Sequence, residues 1–168
     1  MTNTQKTNGN ELELLRKKAK EVYTEINEVH CPYFKEKVHF NAQGFNHIRY
    51  KGARKERDHK SQEMRLKLLK LAPQVIRDSK TIQEYDEESV FIEVKHNKRK
   101  EKELKLARYF GFIAIIGNDP KKGMKTKVIV RQVGNGQKHF WNIIPNCQTR
   151  KSKEGNQYLN HTGNLIED

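Results

Sequence analysis

With 168 residues, of which 34% are hydrophobic, the chain suits one domain with a thin, local core, and its two cysteines are too few for a disulfide scaffold. No apolar run approaches the roughly 20 residues of a membrane-spanning helix, and the first residues lack the apolar stretch of a signal peptide, so a cytoplasmic protein is expected. Lys and Arg number 34 against 21 Asp and Glu, a net charge of +13 that calls for an anionic partner, nucleic acid before a membrane surface or an acidic protein.

The charge is unevenly spread. Residues 49–70 hold nine basic and three acidic side chains, residues 71–94 hold two and six, and residues 120–153 hold nine basic and no acidic ones. Two basic zones separated by an acidic one predict a groove rather than a uniformly solvated shell. A zinc site from His30, Cys31, Cys147 and His161 is not expected, because no paired ligand spacing is present.

In chain order, residues 1–9 are polar and expected to be disordered. Asn10 with Glu13 forms a helix-start signal, and Leu12, Leu15, Ala19, Val22, Ile26 and Val29 mark one apolar face of a helix to about residue 28. After Cys31-Pro32, Val38, Phe40 and the run Phe45-Asn46-His47-Ile48 read as a short extended segment. A second helix is expected over about 56–71, and Pro73 suits the first turn of a third. From Thr81 the period changes to two. Runs at 90–94, 109–116, 127–133 and 138–144, rich in β-branched and aromatic residues, predict four strands. Gly134-Asn135-Gly136 makes the last two an antiparallel hairpin. The order, helices and then sheet, predicts an α+β domain over 10–146, N-terminal helices followed by a four-stranded antiparallel sheet, with a tail over 147–168.

The hairpin concentrates candidate residues. A two-residue turn puts Arg131, Lys138, Phe140 and Asn142 on one face and Gln132, His139 and Trp141 on the other; a three-residue turn pairs Arg131 with His139. Both registers mix cations with aromatic rings, the combination that holds phosphates and unstacked bases of RNA. The competing expectation is that Trp141 and Phe140 fill core and Arg131 is a surface charge. A second cluster is Phe45-Asn46-His47-Ile48-Arg49-Tyr50-Lys51. Metal-free RNA cleavage needs a group that takes the 2′-hydroxyl proton and cations that hold the charged phosphorane, and of these residues only His47 titrates near neutral pH.

The runs Phe112-Ile113-Ala114-Ile115-Ile116, Lys127-Val128-Ile129-Val130-Arg131-Gln132-Val133-Gly134-Asn135-Gly136 and His139-Phe140-Trp141-Asn142-Ile143-Ile144-Pro145 resemble the C-terminal sheet of phage and mobile-element nucleases of the barnase, EndoU, colicin and RelE superfamily. The stretch 38–48 and the helices over 65–76 resemble its N-terminal half. The resemblance implies a metal-independent endoribonuclease, toxin-like or RNA-processing, that needs no cofactor. It implies His47, Arg131 and Asn142 near the scissile phosphate, with Asn142 standing where a serine is common. A cognate acidic antitoxin or immunity protein is a further possible partner.

Two other functions compete. Glu93-Val94-Lys95, with Asp78 or Asp86, imitates the E-x-K core of magnesium-dependent nucleases. A non-catalytic nucleic-acid-binding module would use the same basic hairpin. The leading expectation is RNA cleavage with His47 as acid or base, Arg131 with Arg49 stabilising charge, Asn142 at the phosphate, and Lys51, Lys127, Lys138, His139 and Trp141 holding RNA.

Overall fold

A computed structural model of the protein describes residues 4–52, 54–116, 124–145, 149–151, 157–159 and 165. The three- and four-residue apolar steps close into helix α1 (Thr4–Ile26), whose inner face buries Leu12, Ala19 and Tyr23, while Val22 of the expected face is exposed and Val29 lies beyond the helix in an extended segment. The helix begins at Thr4, ahead of the Asn10 signal, and so runs through Thr7, Asn8 and Gly9, residues of low helix propensity.

A short hairpin follows, β1 (Glu28–Cys31) and β2 (Glu36–His39), and then helix α2 (Ala42–Arg49). The expected extended run Phe45-Asn46-His47-Ile48 is therefore helical. Asn41 caps it, its side chain accepting from the Gly44 amide at 3.1 Å. The alternation that imitated a strand is the short apolar face of a two-turn helix, with Gly44, His47 and Ile48 buried.

The small hairpin β3 (Tyr50–Lys51) and β4 (Lys55–Glu56) leads to helix α3 (His59–Leu68). Its start is fixed by Asp58, whose carboxylate accepts from the Ser61 amide at 2.8 Å. A 3₁₀ turn (Leu69–Leu71) and helix α4 (Ala72–Asp78) complete the helical half, Pro73 standing in the first turn of α4 as expected.

The four predicted strands are present as β5 (Glu84–His96), β6 (Arg99–Ile116), β7 (Met124–Val133) and β8 (His139–Pro145), but they do not form the whole sheet. The hairpin of β1 and β2 adds to it, giving six strands in the order β1-β2-β8-β7-β6-β5. All neighbours are antiparallel except β2 and β8, joined in parallel through His39 and His139. The fold is thus α+β with a mostly antiparallel sheet of six strands rather than four. Strand β2 contains Val38 of the expected extended segment, whereas β1, four residues that follow α1 and Asn27, takes the place of the expected end of the first helix.

In the tail, β9 (Thr149–Lys151) pairs with β10 (Gln157–Leu159), and Leu165 is buried. One core lies between the helices and the sheet, where Tyr23, Leu66, Leu69 and Ile76 meet Val38, Phe112, Val130 and Phe140. A smaller cluster of Ala107, Tyr109, Ile129 and Leu165, with Trp141 against it, occupies the far face. Among the described residues no helix is long and apolar enough to cross a membrane.

Candidate active site

Two local features bring the chemistry-bearing residues together at β8. The first is the close approach of α2. A Cβ added at Gly44 would stand 2.1 Å from the Phe140 carbonyl oxygen and 2.7 Å from the Tyr23 hydroxyl, so only glycine lets α2 lie against the β8 backbone. The second is a bulge. Ile129 pairs with Asn142 and Val130 with Phe140, which leaves Trp141 as the extra residue on β8.

The hairpin register is the one that pairs Arg131 with His139. Positive φ falls on Gly134 (55°) and not on Asn135, so the turn is not the two-residue Asn-Gly form. Arg131 thereby shares a face with Trp141, its guanidinium carbon lying over the indole at 4.3 Å from the ring centroid.

His47 reaches the same indole from α2. The two rings stack with centroids 4.1 Å apart and planes 20° from parallel. Arg57 donates from Nε to the His47 carbonyl oxygen at 3.1 Å and brings Nη2 within 3.2 Å of Nε2. A guanidinium only donates, so Nε2 is the acceptor and the neutral ring carries its proton on Nδ1. Beside this, Arg65 donates from Nε to Asn142 Oδ1 at 3.3 Å, and that oxygen also accepts from the Ile143 amide at 2.9 Å.

Arg131 is held by a short relay. Its Nε donates to the Tyr109 hydroxyl at 3.1 Å, and that hydroxyl donates to Glu88 Oε1 at 2.8 Å. Burial, the largest influence, pushes the Tyr109 phenol up to about 12, so it remains a donor. His139 is buried too, and desolvation lowers its pKa to about 4. It faces the Gln137 carbonyl oxygen through Nδ1 at 3.4 Å, while its Nε2 and the Trp141 Nε1 have no hydrogen-bond partner among the described residues.

The expected site residues therefore divide. His47, Arg131, His139 and Trp141 come together, with Asn142 adjoining but fully buried. Arg49 does not join them: its Nε pairs with Glu56 Oε1 at 3.1 Å, a bond that holds the Glu56 carboxyl below its usual range. It lines a groove of about 630 Å³ with Lys17, Lys20, Phe45 and Leu66 instead. Two residues of helix turn the side chain of residue 49 roughly 200° from that of residue 47.

Lys51 is exposed in the β3–β4 hairpin. Lys127, expected to hold RNA, is 2% exposed and pairs with Glu84 at 2.9 Å; it is a buried structural charge. Lys138 pairs with Glu36 at 2.8 Å and lies 5.0 Å from the Phe34 ring centroid, so it ties the β7–β8 connection to the β1–β2 hairpin. Lys121, Lys122, Lys153, Cys147 and His161 lie outside the described residues.

Sequence reading missed Arg57 and Arg65, the two buried cations of the site. The available signal was Asp58, whose capping role puts Arg65 about two turns into α3 on the side of Leu68 and Leu69. Of the carboxylates named for the magnesium alternative, Asp78 ends α4 while Asp86 and Glu93 lie on β5. Glu93 and Asp86 stand seven residues apart on one strand, roughly 24 Å, and no three His, Cys, Asp or Glu side chains cluster as metal ligands among the described residues.

No family model, curated protein or solved structure matches this chain.

Proposed function

We propose that the protein is a metal-independent endoribonuclease in which the 2′-hydroxyl attacks the adjacent phosphate, the P–O5′ bond breaks, and the products are a 2′,3′-cyclic phosphate and a 5′-hydroxyl. The observation that carries this reading is the convergence of the His47 imidazole and the Arg131 guanidinium on Trp141, with Arg57 on His47. In that arrangement the indole, with His47 stacked on it and Arg131 over it, holds the two groups in place, Arg131 and Arg57 neutralise the phosphorane, and His47 takes the 2′-hydroxyl proton and returns it to the leaving 5′-oxygen. An incoming phosphate competes for the Arg57 guanidinium and frees Nε2 to act as base. Asn142, sealed in the interior by Arg65, acts as a support and not as a phosphate ligand.

One observation favours a second reading. His47 is only 8% exposed and its Nε2 already faces Arg57, an arrangement suited to a non-catalytic RNA-binding module built on the same cations.

Incubation of the purified protein with a labelled mixed-sequence RNA in EDTA separates the two. Expected are products with 2′,3′-cyclic ends, no products from His47→Gln, and a rate lowered by about 100-fold or more from Arg131→Ala, each variant being confirmed folded by thermal unfolding. Binding without cleavage, in EDTA and in magnesium alike, would overturn the nuclease and leave the binding module.

A further inference from the structure

Strands β5 and β6 outrun the rest of the sheet. Pairing of β6 with β7 ends at Ala107 and Val133, yet β5 and β6 continue as a two-stranded ribbon from Ser89–Leu106 to His96–Arg99. At about 3.4 Å per residue the arm projects roughly 25 Å.

Its composition is specific. From residue 95 to residue 105 there are six basic side chains and two acidic ones. Lys100 pairs with Glu93 at 3.4 Å, and Lys105 and His96 both pair with Glu103, at 3.6 and 2.7 Å. Among the described residues Lys95, Lys98, Arg99 and Lys102 have no ion pair, and all are exposed. On the face shared by Lys95, Lys100 and Lys102, Phe91 stands opposite Leu104, and they are 71% and 60% exposed.

The tip adds an independent sign. Asn97 and Lys98 both have positive φ, 44° and 72°, the conformation of a two-residue primed hairpin turn. Asparagine suits the first position, but the second favours glycine, and a lysine there is strained. The chain keeps a cation at its outermost point at the expense of the turn. A second copy of the chain is a poor occupant, since pairing two such arms would bring like charges together.

We infer that this arm is an RNA-binding clamp, which grips phosphates flanking the point of cleavage and uses Phe91 and Leu104 as an apolar contact against bases. The inference rests on the ribonuclease reading for its ligand but not for its geometry: Glu88, at the root of the arm, is bonded to the Tyr109 hydroxyl that orients Arg131. The arm makes the preferred substrate a long RNA, because a dinucleotide spans only the site at Trp141.

The test compares wild type with Lys95→Ala/Lys98→Gly/Lys102→Ala. Affinity for a 30-nucleotide RNA is measured in EDTA against salt, cleavage is followed on that RNA and on a dinucleotide, and mass in solution is measured by sedimentation. Expected are a slope of log Kd against log salt reduced by about 2, unchanged dinucleotide cleavage, and unchanged or raised thermal stability, since Lys98→Gly relaxes the turn. If long-RNA binding and its salt slope do not change, or if wild type is a dimer that the substitutions split, the clamp is overturned. If no RNA is cleaved but long-RNA binding still depends on the arm, the ribonuclease reading falls and the clamp stands.

Discussion

The imidazole of His47 lies flat against the indole of Trp141, centroids 4.1 Å apart, so a two-turn helix and a sheet bulge far apart in sequence present one aromatic surface. Trp141 is the single tryptophan of the chain, and its emission reports on this surface alone. Titration with a 2′-deoxy dinucleotide, which lacks the attacking hydroxyl, is expected to change that emission saturably in wild type and in Lys51→Ala. Trp141→Ala is expected to lower kcat/KM about 10- to 100-fold, because His47 and Arg131 lose the ring that positions them. Emission indifferent to saturating dinucleotide would remove the indole from the substrate site.

Gly44→Ala is expected to destabilise the fold by about 3 kcal/mol or more, because the added methyl meets backbone and not a side chain that can rotate away. Helix α2 gains its usual helix-propensity benefit from alanine, under about 1 kcal/mol, which cannot offset a 2.1 Å approach to the Phe140 carbonyl. Urea unfolding measures it. A Gly44→Ala protein as stable as wild type would mean that α2 is not held against β8.

How far sequence reading reached follows the range of the interactions. Val128, Val130, Phe110 and Phe112 lie on strands long enough to show period two, and Pro73 carries local chemistry, so these elements were legible, whereas the helix start expected at Asn10 lies inside α1. His47 was legible as a candidate but not as a helical residue, since its segment owes its helix to the Asn41 cap and the groove at Gly44. The arm was hidden because residues 95–103 alternate charges instead of apolar residues; the strand there is set by cross-strand pairing. Lys127 shows the opposite failure. Its charge counted toward a basic surface, whereas its position opposite Ile113 and Ile144 in mid-sheet turns it to Glu84.

That buried pair yields a further expectation. Glu84→Gln leaves Lys127 charged in the interior and is expected to cost about 3 kcal/mol, whereas Lys127→Met with Glu84→Leu recovers most of that loss. The salt dependence of RNA binding is expected to stay as in wild type in the double variant. A slope lowered by about 1 would instead return Lys127 to the RNA surface.

His139 provides the pH dependence. Its pKa is about 4 in the folded protein and near 6.5 in the unfolded chain, the lowering being chiefly the cost of charging a buried ring. Between those values the unfolded chain binds a proton that the folded chain does not. Stability is therefore complete above pH 6.5 and declines as the pH falls toward 4, by about 3 kcal/mol over the whole window. His139→Gln removes the titrating group, so the difference in urea stability between pH 7 and pH 4.5 is expected to shrink by most of that amount. If the variant loses as much stability as wild type on acidification, the proton goes elsewhere and His139 is not a buried neutral ring. The same substitution keeps a polar group opposite Arg131, so cleavage at pH 7 is expected to survive it, which separates His139 as a neutral neighbour of Arg131 from His47, the group proposed to move the proton.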